Sequence, residues 1–280
     1  MLSILYEDRD VLVVRKPAGV ESQEVRSFAP DMVSEIRKYL MAAQDIHKLA
    51  TNRCTRDPQP RPPYVGVIHR LDKPVSGIMV YAKNQKAAAA LSAGLQKGSM
   101  KKGYCAVVCG KPVDNQGTYV DYLRQDKKNN RSQIVDKSVE DSRRAELNYR
   151  VAETIRRQEN GEEREYSLVE IELLTGRHHQ IRVQFAGHGT PLYGDGRYGT
   201  GGQPGAASAR AAKAPEAGIW AASGQAAGVQ AASAGNRAAK AGLALCACRL
   251  SFPHPSTGKI MSFEITPQGG AFDWFTVLQP

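Results

Sequence analysis

The chain is short of cysteine, of acidic charge and of long apolar runs, and each shortage narrows what it can be. Of five cysteines, Cys54 stands alone, Cys105 and Cys109 are four apart, and Cys246 and Cys248 are two apart, so no CxxC pair exists. An odd count without ligand spacing argues against a disulfide framework or zinc site, and six histidines without HExxH spacing add no metal centre. Residues two or four apart in a strand share a face, so these cysteines read as small buried apolar side chains in a reducing compartment. Glu7, Asp8, Arg9, Asp10, Arg15 and Lys16 interrupt the first twenty residues, which leaves no secretory signal or membrane anchor there. The expectation is a cytoplasmic protein, with an organelle as the second choice, and no membrane partner.

Acidic residues number 28 against 38 Lys and Arg, a net charge of +10 that biases the chain toward polyanions such as nucleic acid. Charge alone names no partner. With 280 residues and 41% apolar content, the chain can bury a core of its own.

Hydrophobic patterning is that of a strand-rich α+β protein. "ILYEDRDVLVVRKPAGV" places apolar runs at Ile4–Tyr6 and Val11–Val14 around a polar stretch, the pattern of a hairpin. Met32, Ile36 and Leu40 follow a capping Asp31 at helical spacing, which predicts a helix from about Met32 to Ala43. "GIMVYAK" reads as a strand, "NQKAAAALSAGLQKG" as an Asn-capped helix ended by Gly98, and "GYCAVVCG", "AELNYRVAET" and "EYSLVEIELLT" as further strands. "GRHHQIRVQFAGHG" predicts a short helix, and "LALCACRLSFPHPSTGKIMSFEITP" a second hairpin. Between them, more than half of residues 201–242 are Ala or Gly, a low-complexity insertion with little to bury against a core. One domain over 1–280 carrying that insertion fits better than two domains.

Two segments could carry chemistry. "VIHRLDKPVSG" sets one carboxylate, Asp72, among His69, Arg70 and Lys73. Neighbouring cations keep a carboxylate ionised, so such a group serves as nucleophile or base; the alternative is a charged surface turn. "LLTGRHHQIRVQFAGHGTPLYGDGRYG" brings Arg177, His178, His179 and Arg182 to the start of the short helix, where an anion would be favoured; the alternative is a solvated cationic face. Gly194–Gly199 also satisfies GxGxxG, but no strand precedes it, and the HRLD string lacks the companions of a kinase catalytic loop. A glycoside hydrolase would want a second carboxylate beside Asp72, and none pairs with it in sequence.

Together these segments resemble the RluA-type RNA pseudouridine synthases. The likeness rests on His69-Arg70-Leu71-Asp72 with Ser76-Gly77, "KKGYCAVV", "TGRHHQIR", Gly194-Asp195 with Tyr198-Gly199, and the two end hairpins. Val75 replaces the usual threonine and Cys246 the usual histidine of the last motif. The resemblance implies one α+β catalytic domain on a mixed, mainly antiparallel sheet with flanking helices; the small N-terminal S4 domain that relatives often carry is not expected, since no such module is recognisable before Gly19. It implies isomerisation of uridine in rRNA or tRNA with no cofactor, no metal and no DNA partner, by a monomer. Asp72 would be the nucleophile or base, Arg177 its pairing partner, Tyr104 the ring stacked on the target base, and Arg70 the side chain that fills the gap left by a flipped nucleotide. Ile181 would line the base pocket, and His69, Lys73, Lys101, Lys102, Arg182 and Arg197 would contact substrate, the basic ones through phosphates. The competing reading is an inactive RNA-binding protein or RNA chaperone of the same fold.

Overall fold

The computed structural model describes residues 2–24, 29–50, 62–159, 161–199 and 242–279, with residues 44–50 given by their helical backbone alone. The Ala/Gly segment, but for Gly242, lies outside the described residues, as do Cys54 and most of the proline-rich loop before Val67. By internal contacts the chain divides into two compact units, residues 1–103 with 246–266, and residues 104–245 with 267–280.

In the first unit the hairpin β1 (Ser3–Glu7) and β2 (Val11–Lys16) extends through β4 (Ser76–Ala82) to β10 (Leu245–Pro253), with β3 (Gly66–Val67) also on β4 and β11 (Ile260–Glu264) on β10. β4 runs parallel to β10, and the other pairs are antiparallel. The apolar runs of β2 and β4 are continuous rather than alternating because these strands are covered on both faces: Val11 to Val14 and Met79 to Ala82 are all fully buried. Burying each such Val or Met gains about 1.5–3 kcal/mol relative to leaving it in water. Two helices accompany them. α1 (Met32–Ala50) opens with Ser34 N–H donating to the Asp31 carboxylate, and it runs a further two turns beyond the end expected from Leu40. α2 (Gln85–Gln96) begins at Asn84, whose side chain accepts from Ala87 N–H at 2.8 Å, and it buries Ala87 and Leu91 against Ile78, Val80 and Phe252.

The second unit is built on the long hairpin β8 (Arg143–Glu159) and β9 (Glu162–Leu173), flanked by β6 (Gln116–Asp126) and β7 (Arg131–Val135) on one side. β5 (Lys101–Cys109), which belongs to this unit from Tyr104 onward, lies beside β9. α3 (Gln180–Gly187) packs Val183 against Leu123 and Ala145. Two short 3₁₀ turns, Gly270–Trp274 and Thr276–Leu278, close the unit, with Trp274 packed on Tyr166 and Tyr193 and under the Arg157 guanidinium.

The architecture is the mixed, mainly antiparallel α+β sheet with helices that the sequence predicts, with both end hairpins in place. The β6–β7 hairpin was not foreseen. The short helix also starts later than expected: His178 and His179 precede α3, and their rings stack on each other at 3.7 Å instead of pointing from different helix faces. Cys105, Cys246 and Cys248 are buried and Cys109 is half-buried. Among the described residues no helix is long and apolar enough to cross a membrane, and no cluster of His, Cys, Asp or Glu could hold a metal ion.

Candidate active site

Asp72 sits half-buried at the head of a tight turn, in which its carbonyl accepts Val75 N–H at 2.9 Å across Lys73 and Pro74. Proline at the second central position presets that bend's exit into β4, and the turn is anchored from both sides. On one side the buried Ser22 hydroxyl donates to the Leu71 carbonyl at 2.6 Å and accepts Leu71 N–H at 3.0 Å. Tyr81 in turn donates its hydroxyl to the Ser22 carbonyl at 2.8 Å. On the other side the Lys73 carbonyl accepts Gly19 N–H at 2.8 Å and the Lys16 ammonium at 3.2 Å.

Lys16 is a lysine with no solvent exposure, and it satisfies its three N–H donors on the carbonyls of Pro17, Val20 and Lys73. Burial pushes its pKa down to about 8, against the fields of Glu21 and Asp72, which favour the charged form. The loop "KPAG" and the turn carrying Asp72 are thereby one hydrogen-bonded piece. Gly77, five residues after Asp72, lies where β4 meets β10 with φ +135°, and a Cβ there would fall 2.4 Å from the Ala247 carbonyl oxygen. The glycine of the motif is required by that close approach of two strands.

The neighbours of Asp72 separate into surface and interior. Arg70 is exposed, reaching Gln23 at 3.4 Å, and Lys73 is half-exposed with Glu21 at 3.8 Å, a pair worth about 0–1 kcal/mol. His69 is not available as a phosphate contact. Its Nε2 accepts Val80 N–H at 3.3 Å, which places the ring proton on Nδ1, a buried atom with no partner among the described residues. Burial, with the nearby Lys102 ammonium, lowers its pKa to about 3, so the ring is neutral at any physiological pH. Lys102 is half-buried, and desolvation lowers its pKa as well.

In the second unit Arg177 is exposed just before α3, and its Nε donates to the Arg144 carbonyl at 2.9 Å. Its backbone is set by Gln180, a buried amide whose Oε1 accepts both Arg177 N–H at 2.9 Å and the Thr175 hydroxyl at 2.8 Å. The Gln180 Nε2 donates to the Glu146 carbonyl at 3.1 Å, which ties the loop to β8. Tyr104 and Ile181 are both buried. Arg182 is buried too, against expectation. It forms a bidentate pair with Asp195 at 2.8 and 2.7 Å, and Asp195 also accepts the backbone N–H groups of Arg197 and Tyr198. These bonds hold the Asp195 carboxyl below its usual range in spite of burial. Arg182 and Asp195 therefore lock the "GDGRYG" loop onto α3, and Arg182 leaves the set of phosphate contacts, as His69 does.

The four cations expected to gather at the helix start do not form an anion cradle: Arg182 is spent on Asp195, and His178 bonds Ser132 and Asn130. His179, pushed down to about 3 by burial and by Arg182, bonds the Tyr198 hydroxyl. Sequence reasoning passed over Lys16, Ser22, Gln180 and the pairing of Asp195. Only Lys16, two residues beyond the apolar run Val11–Val14 on the same strand, left a trace in the sequence.

A family model described as RNA pseudouridylate synthase matches residues 10–187, a span running through both units from β2 to the end of α3. The chain belongs to this family. It is 34% identical over 198 residues to the uncharacterised RNA pseudouridine synthase YlyB of Bacillus subtilis, covering 71% of this chain and 58% of the relative. It is 30% identical over 199 residues to the ribosomal large subunit pseudouridine synthase D of Pasteurella multocida, covering 71% and 53%. The matched part thus spans just over half the length of these relatives. Of solved structures, human RNA pseudouridylate synthase domain containing 4 superposes with a TM-score of 0.62 at 20% identity, over 95% of this chain and 88% of that one, and shares the fold.

Proposed function

We propose that the protein is an RNA pseudouridine synthase that isomerises uridine by breaking its N1–C1′ bond, turning the freed base and rejoining it through C5. The observation that carries this reading is Asp72, the one carboxylate of the HRLD motif, held half-buried on a turn clamped by Lys16, Gly19 and Ser22. A group that must meet C1′ of a flipped nucleotide needs such a fixed backbone more than it needs an acid partner. The reaction is an internal transfer without redox change, so it calls for no cofactor.

Each unit carries motif residues: in the first we assign Asp72 as nucleophile or base and Arg70 as the side chain that fills the vacated stack, and in the second Arg177 as the catalytic guanidinium, Tyr104 as the ring stacked on the base and Ile181 as lining of the base pocket. Arg70 and Lys73 are exposed, as a group that meets RNA must be. The relatives named for the large ribosomal subunit make rRNA the first substrate to test and tRNA the second, with the protein acting as a cytoplasmic monomer. Tritium release from RNA labelled at uridine C5 tests the assignment. Asp72→Ala and Asp72→Asn should release none while still binding RNA; release at the rate of the unaltered protein by either variant overturns the role of Asp72. RNA binding without release by the unaltered protein would favour an RNA chaperone of this fold.

A further inference from the structure

The β6–β7 hairpin ends in the turn Asp126-Lys127-Lys128-Asn129-Asn130-Arg131, and its cations are set out in an orderly way. Asp126 accepts the N–H groups of Lys128 and Asn129 at 3.0 and 3.1 Å and the Asn129 side-chain amide at 2.6 Å. These bonds, led by the Asn129 amide, hold its carboxyl below the usual range, so Asp126 shapes the turn rather than neutralising the lysines. Arg197 donates to the carbonyls of Asn129 and Asn130, and Arg131 donates to the Arg197 carbonyl while lying over the Tyr198 ring at 5.5 Å. The turn is thus fastened to the "GDGRYG" loop, which the buried Arg182–Asp195 pair fixes to α3. Lys127, Lys128 and Arg131 are exposed, and among the described residues none of them makes an ion pair. Beside them runs an open groove of about 880 Å³ whose lining includes Asn129, Arg131, Gln133, Ile134, Arg197 and Tyr198.

We infer that this hairpin turn and its groove form a phosphodiester-binding surface of the second unit, a docking place for the RNA strand flanking the target uridine. The inference rests on the reading of RNA as substrate and deepens it. A cationic turn with its one carboxylate engaged in its own backbone, stiffened by arginine and bordered by a wide open groove of mixed polar and apolar lining, complements a chain of phosphates and the bases it carries. A protein partner with a compact acidic patch would instead need a drier, more apolar surface around the cations. Preordering matters because each flexible lysine or loop residue fixed on binding costs affinity.

Neutralising two phosphate contacts on a single strand should lower the slope of log K against log salt by roughly 1.4 and weaken binding roughly ten- to thirtyfold near 0.1 M salt. The measurement is the affinity of a fluorescein-labelled, uridine-containing RNA stem-loop for the full chain between about 50 and 300 mM KCl. Lys127→Gln with Lys128→Gln is compared with Lys86→Gln with Lys97→Gln, which removes the same charge from exposed positions on and after α2 in the first unit. Both changes lie on exposed side chains, so unaltered melting curves establish folding. The inference stands if only the hairpin variant loses slope and affinity. It falls if the hairpin variant keeps its slope, or if the control loses as much, since net charge then accounts for the effect. Tritium release by the unaltered protein, run in parallel, separates the two readings. Release with an unchanged hairpin slope overturns the docking surface alone, and a hairpin-specific loss of slope without release supports the surface and overturns the isomerase.

Discussion

Replacing Gly77 by alanine should be far more damaging than its one added carbon implies. The residue has φ +135°, which side chains rarely adopt, and its Cβ would stand 2.4 Å from the carbonyl oxygen and 2.5 Å from the nitrogen of Ala247. The backbone conformation alone costs about 1–3 kcal/mol. The steric part cannot be relieved by a side-chain rotation, because the obstructing atoms are the main chain of β10, paired to β4 at Cys246–Ser76 and Ala247–Gly77. Either β10 shifts by the order of an ångström or that pairing opens, at a further cost of about 2 kcal/mol or more. A total near 4 kcal/mol corresponds to a fall in melting temperature of roughly 10 °C for a chain of this size. Gly98→Ala supplies the comparison: φ is +72°, but no atom lies within 4 Å of the added Cβ, so only the left-handed conformation is strained. It should cost about 1 kcal/mol, or roughly 3 °C. Differential scanning calorimetry of both variants tests the argument. Equal shifts would show that close strand approach contributes nothing, and a Gly77→Ala protein melting within a degree or two of the unaltered chain would refute it outright.

Two desolvated histidines, the half-buried His69 and the buried His179, give the protein an acid limit: their pKa is pushed down to about 3 from an ordinary 6.5. The unfolded chain therefore binds more protons between those values, and stability present above pH 6.5 is lost as the pH falls toward 3. At pH 5 each histidine accounts for about 2 kcal/mol of that loss; His69→Gln and His179→Gln should each flatten the dependence of the urea midpoint between pH 7 and 5, and an unchanged slope in both would count against neutral burial. Asp195→Ala removes the bidentate pair from the buried Arg182 guanidinium and the acceptor of two backbone N–H groups, so it should destabilise the fold by about 3–5 kcal/mol. Adding Arg182→Met to Asp195→Ala should recover part of that loss in urea denaturation, whereas additive losses would mean that the charge was not what suffered. Gln180→Ala should reduce the rate of tritium release by lowering kcat more than it raises KM, because Gln180 sets the backbone of Arg177 and lies itself in the interior.

What the sequence made legible was the part whose physical demands are local. The two end hairpins, the Asn84 cap and the continuous apolar runs of β2 and β4 are written in short windows, and the structure places them as read. The β6–β7 hairpin escaped because it is a flank strand pair with little to bury: over Gln116–Asp126 only Gly117, Tyr119 and Leu123 are inside, while Val120 and the charged Arg124 and Asp126 face solvent. Arg177 and Arg182 illustrate a harder limit. Five residues apart in one motif, they carry the same charge and the same apparent role, yet one is exposed on a loop and the other lies in a buried bidentate pair. What separates them is the start of α3: Arg177 precedes it, on a loop that the Gln180 amide closes over Thr175 and Arg177, and Arg182 lies within it. The motif reads as a string of cations around an anion site, but its folded logic is a division of labour: Gln180 and Arg182 consume polar groups to build the loop so that Arg177 is presented at the surface. The same division holds around Asp72, where His69, Lys16 and Ser22 are spent on the backbone and Arg70 and Lys73 face outward. In both segments the residues that look most like ligands in sequence include those that hold the scaffold, and burial rather than residue type tells them apart.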